Sequence, residues 1–242
     1  MSTTPYRPVT VHVPASGGAH DRTDGGGSRP VLLLAGVGFA LSWIAGLSVF
    51  SSSTEVRSSG EQIQRAYAGH VGVVGLQYFL TEGLPAVLLA IVTVALSRAV
   101  RPEARAARAI TGVAGLAAAS VSVVQLALGM WLSFGLVNDA ATGSIGTVYR
   151  AINRLDGVKM LLLAVLAATV IRAIHRGDLD MPRWFSWTAT ALTATITLSA
   201  IGYLTLDNTL ASAAWLSLPC LIVFITGAAV VLHRRTVGDN DD

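Results

Sequence analysis

Residues 76–98 read Leu76-Gln-Tyr-Phe-Leu-Thr-Glu-Gly-Leu-Pro-Ala-Val-Leu-Leu-Ala-Ile-Val-Thr-Val-Ala-Leu-Ser-Arg98. As a helix this run is long enough to cross a hydrocarbon core of about 30 Å. Yet it carries a carboxylate, Glu82, and three residues later a proline, Pro85. Almost every other long apolar run in the chain is uncharged, so this one has to be accounted for.

The chain around it is 242 residues long, 52% hydrophobic and 13% charged. Soluble domains carry about 25% charged residues. The apolar residues are blocked into long runs instead of recurring at the spacing of a soluble core. The fold class is therefore all-α, a polytopic transmembrane helical bundle. Sixteen arginines against one lysine, with abundant alanine, glycine and valine, point to a GC-rich bacterial genome. The formal charge of +3 does not call for nucleic acid, because the arginines lie between the apolar runs, where membrane topology explains them. The single cysteine, Cys220, excludes an intrachain disulfide and any cysteine metal cluster.

Residues 1–29 are rich in Gly, Pro, Ser and Thr and read as a disordered cytoplasmic tail. The first apolar run reads as an uncleaved anchor rather than a cleaved leader. Six spans are expected near 30–51, 71–97, 109–137, 155–174, 185–206 and 212–232, forming one domain over 30–234, with a cytoplasmic tail at 235–242. Arg7, Arg22, Arg29, Arg98, Arg101, Arg105, Arg108, Arg172, Arg176, Arg183, Arg234 and Arg235 fall on one side. Arg57, Arg65, Arg150 and Arg154 fall on the other. Twelve against four places both termini in the cytoplasm, in a multi-pass protein of the bacterial inner membrane. Of the two long connections, 52–70 holds Ser58-Ser59-Gly60-Glu61, a capping-box pattern that predicts a short helix leading into the second span. The other, 138–154, predicts a loop with a short helix before Arg150. Both are candidates for a lid over an outward cavity.

Counting from the arginine that ends each span gives depth. Glu82 and Asp156 each stand about 24 Å up a straight helix, Lys159 about 20 Å and Gln125 about 25 Å. Four polar groups from three helices thus share one layer, and Asp156 and Lys159 are i, i+3 neighbours on one face. Each charge near the bilayer centre costs about 2.5–3.5 kcal/mol on insertion scales. Pairing Glu82 and Asp156 with Lys159, with Gln125 donating, offsets much of that and leaves one negative charge in excess. Pro85 removes the N–H partner of the Thr81 carbonyl, and Gly83 thins the backbone beside it, so a kink is expected there. Kinked helices with free carbonyls beside a carboxylate are how transporters build ion sites.

Other chemistries lack their residues. His12, His20, His70, His175 and His233 lie in the tail, the connections or at helix ends, so no bis-histidine haem pair is available. No zinc-protease, Walker or Rossmann pattern occurs. No catalytic residue, metal or cofactor is expected. Leu41-Ser-Trp-Ile-Ala-Gly-Leu, Ala66-Tyr-Ala-Gly-His and Arg154-Leu-Asp-Gly-Val-Lys-Met together resemble uncharacterised six-span integral membrane proteins of actinobacteria. That resemblance implies a membrane protein and supplies no activity. Three function classes follow: a small permease or ion-coupled carrier using the polar layer, a noncatalytic accessory or scaffold subunit, and an enzyme acting on lipid. The expected partners are the lipid bilayer and either another membrane protein or further copies of this chain.

Overall fold

The computed structural model describes residues 28–51, 54–138 and 141–238. Residues 1–27 of the expected N-terminal tail and 239–242 of the C-terminal one lie outside them, as do 52–53 and 139–140. α1 is Ser28–Val49, α2 Gly60–Tyr67, α3 Val71–Tyr78 and α4 Leu84–Ala99. A π turn, Phe79–Gly83, joins α3 and α4 into one rod. α5, Arg105–Met130, runs on through a second π turn, Trp131–Leu136. α6 is Thr142–His175, α7 Arg183–Thr205, α8 Asn208–Ala211 and α9 Ala214–Gly238. Among the described residues, five stretches are long and apolar enough to cross a membrane, the mark of an integral membrane protein: Pro30–Val49, Val71–Ala99, Arg105–Leu136, Thr142–His175 and Asn208–Arg235.

α7 matches these in length, with 23 residues, but threonines make it less apolar. Thr188, Thr190, Thr193, Thr195 and Thr197 each donate their hydroxyl to the carbonyl four residues earlier. Those polar groups are therefore satisfied inside the helix. Its buried face, Phe185, Ala189, Leu192, Ile196 and Ala200, packs between α6 and α9.

The long rods close into a ring. α1 packs on α4, α4 on α5, α5 on α6, α6 on α7, α7 on α9, and α9 returns to α1. Small residues set the closest approaches, as in membrane helix packing generally. A Cβ on Gly36 of α1 would lie 2.4 Å from that of Ala229 on α9, and Thr226 on α9 donates to the Gly36 carbonyl at 2.9 Å. One on Gly115 of α5 would lie 2.4 Å from the Thr93 side chain of α4. Gly75 takes the Phe134 ring, whereas Gly72 has open space beside it.

The connections Val100–Ala104, Arg176–Pro182 and the end of α9 share one end of the bundle, called here the arginine end. The Arg101 N–H meets the Asp178 carbonyl there, and Arg235 pairs with Asp180 at 2.7 Å. At the opposite, cap end, α2 lies over the bundle. Its capping box uses Ser59 and Gln62, one residue beyond the expected Ser58 and Glu61. Ser58 instead accepts from the Glu55 N–H and closes the turn before it. Nor does α2 run directly into the next rod: Gly69, at φ +77°, turns the chain between them.

The connection 138–154 also departs from expectation, because α6 starts at Thr142 and is unbroken for 34 residues. Gly143, Ser144 and Gly146 are weak helix formers. Burial overrides them: Ile145, Tyr149 and Ile152 form a core with Ile63 and Tyr67 of α2. Gly60 rests so closely on the Thr142 carbonyl that a Cβ would come within 1.7 Å of it.

Two larger apolar cores result, with a small third at Val56, Leu206 and Ala211. One fills the arginine half around Leu89, Leu166, Phe185 and Phe224, with the last two rings stacked 5.0 Å apart. The other lies under α2. On the α3–α4 rod, α5 and α6 alike, the change from one core to the other falls at Glu82, at Ser122 to Gln125, and at Asp156 to Lys159.

Candidate ligand cavity

The site starts with the π turn. Val74, Tyr78, Glu82 and Ala86 recur every four residues, and four-residue steps drift off the face of a 3.6-residue helix. The wider turn absorbs the drift, with the Leu84 N–H reaching back to the Phe79 carbonyl. That leaves the Leu80 carbonyl without its usual donor, and the Ser42 hydroxyl of α1 supplies one at 2.5 Å. Gly83 ends the turn against Leu126, and Pro85 sits in the first turn of α4, where a missing N–H is tolerated. Glu82 is thereby held on the inner face, only 6% exposed.

There it meets α6. The Lys159 ammonium lies 2.8 Å from both Glu82 carboxylate oxygens and 2.6 Å from Asp156 Oδ1. The Ser122 side chain on α5 also contacts Glu82. The side chains of Lys159 and Glu82 are 6% and 7% exposed, that of Asp156 22%. Asp156 is therefore the open corner of the triad. Gln125 plays a different part from the one expected of it: its amide donates to the Ile152 carbonyl at 3.2 Å, not to a carboxylate, and so ties α5 to α6. Its own carbonyl oxygen is buried without a partner among the described residues.

The triad forms the floor of a cavity of about 550 Å³, within the range of about 300–1,000 Å³ typical of ligand pockets. Of the five tyrosines in the chain, Tyr67, Tyr78, Tyr149 and Tyr203 line it. Tyr6 lies outside the described residues. The hydroxyls form a chain, with Tyr78 on Tyr67, both Tyr67 and Tyr149 on Thr54, and Tyr149 on Asn153. Burial, and then the neighbouring Tyr149, push the Tyr67 hydroxyl on α2 well above its ordinary pKa, so it stays protonated.

Thr54 belongs to the connection that folds over the mouth. Glu55 accepts from the Asn208 amide, and the Arg57 guanidinium donates to the Leu206 carbonyl. Gln77 donates to the Phe50 carbonyl at 2.8 Å and Gln64 to the Val137 carbonyl at 2.9 Å. Leu206 adopts φ +57°, a left-handed conformation uncommon for leucine. It is held there by packing with Val56 and Ala211.

The tyrosines are what reading the sequence misses. Their signal lies in their placement: all four occur in the cap half of their helices, and none occurs in the arginine half. Among the described residues, no group of three His, Cys, Asp or Glu side chains could hold a metal ion. No family model matches the chain, and no curated protein or solved structure matches it either.

Proposed function

We propose that the protein is a small six-span carrier of the bacterial cytoplasmic membrane that takes its ligand into the cavity above Glu82, Asp156 and Lys159. The observation that carries this reading is an ion triad with one carboxylate in excess, on the floor of a roofed cavity of about 550 Å³. Buried charge inside a membrane is costly and marks ligand or ion pathways. α7 counts as the sixth span, since it is as long as its neighbours and carries its threonine hydroxyls internally satisfied. The arginine excess puts the arginine end in the cytoplasm, so the cavity faces outward. The resemblance to six-span actinobacterial membrane proteins belongs to the same reading.

Alternating access requires the arginine half to open in turn. Thr93 and Thr111, both buried there, have hydroxyls with no partner among the described residues. The test uses cysteines in a Cys220→Ser background. Asn153→Cys should react in intact cells with a membrane-impermeant thiol reagent, and Thr93→Cys should react, more slowly, from the cytoplasmic face of inverted vesicles. An Asn153→Cys that reacts only after denaturation removes the cavity. A Thr93→Cys that never reacts removes transport.

One observation favours a second reading. Lys159 is already saturated by its two carboxylates. A fixed triad of this kind suits an accessory subunit whose ions only set helix register. That reading requires a partner that co-purifies in mild detergent, and isolation as a lone monomer argues against it.

A further inference from the structure

The charged residues lining the cavity are Glu55, Glu82, Asp156 and Lys159. Three acids face one base, and no arginine is among them. Arg57, in the connection over the mouth, is turned onto the Leu206 carbonyl. An anion would therefore enter against the field, and a cation would enter with it. Asp156, the most open carboxylate of the triad, is the natural counter-charge for it.

The walls support the same choice. Trp43 of α1, Tyr67 of α2, Tyr78 of α3, Tyr149 of α6, Tyr203 of α7 and Trp215 of α9 all line the cavity. Each of six elements contributes one Trp or Tyr ring, the types that attract cations best, and quaternary ammonium groups are recognised in such surroundings. An inorganic divalent ion would want several oxygen ligands at once. Here Lys159 engages both oxygens of Glu82 and one of Asp156, which leaves too few for such a shell, and the Leu80 carbonyl freed by the π turn is taken by Ser42. The volume also far exceeds that of a bare ion. Finally, the Trp43 indole N–H is buried without a partner among the described residues, leaving a donor for an acceptor atom on a ligand.

We infer that the cavity binds a monovalent organic cation, its ammonium head at Asp156 and its body among the tyrosine and tryptophan rings. This rests on the carrier reading above and names its substrate class.

The test follows protection of Asn153→Cys, in the Cys220→Ser background, from a hydrophilic thiol reagent. The probes are choline, benzyltrimethylammonium and phenethylamine, with 3,3-dimethylbutanol as the uncharged counterpart of choline and benzoate as an anion. At least one cation should slow labelling saturably, and 3,3-dimethylbutanol should be weaker than choline by about tenfold or more. Asp156→Asn, which leaves the Lys159–Glu82 pair intact, should weaken the cation by a similar factor. Tyr203→Leu should weaken it too, while Tyr203→Phe, which keeps the ring, should not. Equal protection by 3,3-dimethylbutanol, stronger protection by benzoate, or full labelling under every cation overturns the substrate class and leaves the cavity standing. Failure of Asn153→Cys to label at all removes the carrier reading and this inference together.

Discussion

The arginine half and the cap half of this bundle are built from the same rods with different fillings. In the arginine half, glycine backbones meet small side chains, Gly36 on Ala229 and Gly115 on Thr93, and stacked Phe185 and Phe224 fill the middle. The cap half also has close glycine contacts, Gly60 on Thr142 and Gly202 on Ala211, but rings and ions stand in its middle. Gly129 makes the contrast plain, because it accepts the Tyr78 ring so closely that a Cβ would lie 2.4 Å away. One helix thus gives up its side chain so that another can project a tyrosine into the space between them. The residues at the contacts, not the lengths of the helices, decide which half packs solid and which half holds a cavity.

The largest effect should come from the floor of the cap half. Lys159→Met leaves two carboxylates unpaired in a buried site and should cost about 3–5 kcal/mol in detergent unfolding experiments. Glu82→Gln added to it should recover part of that loss, whereas additive losses would mean the pair is not coupled. Next comes the packed half. Gly115→Leu forces a side chain into Thr93 and should cost about 1–3 kcal/mol. It should leave thiol labelling of Asn153→Cys from the cap side unchanged; a changed rate would show that the two halves are not separable.

A smaller change is expected at the roof. Arg57→Ala removes one tie to the Leu206 carbonyl, at a cost of about 1 kcal/mol, and should speed Asn153→Cys labelling. No change in rate would mean that the connection does not gate the cavity. The smallest effect is that of pH. Tyr67 keeps its proton when folded above its ordinary value of 10.0, so above that pH the unfolded chain binds fewer protons than the native one. Stability should therefore hold up to about pH 10 and decline beyond it, and Tyr67→Phe should flatten that decline.

What could be read in advance follows from one-dimensional counting. The common level of Glu82, Asp156 and Lys159 is legible because each lies a countable number of residues from the arginine ending its helix. What Gln125 bonds to is not legible this way, because depth says nothing about rotation around a helix, and its amide faces the backbone of α6. Nor is the pairing of α1 with α9, which depends on how the ring closes. The start of α6 at Thr142 misleads local reading because glycine and serine weaken a helix, while α2 above them supplies the burial that keeps it formed. The run at 185–206 is legible as a helix, but among the described residues only five stretches are apolar enough to cross a membrane; α7 falls short because of its threonines, which spend their hydroxyls on their own backbone.

Glu82 and Lys159 are 77 positions apart in the chain. A ribosome adds about 5–20 residues per second, so the carboxylate emerges roughly 4–15 seconds before the ammonium that will neutralise it. The ion pair is therefore a problem of timing as well as of energy. During that interval the carboxylate in the π turn between α3 and α4 has no ammonium to meet. α6 then arrives carrying Asp156 and Lys159 together, one turn apart on the same helix. The order of synthesis thus makes α6 the element that brings the neutralising ammonium to a carboxylate already made.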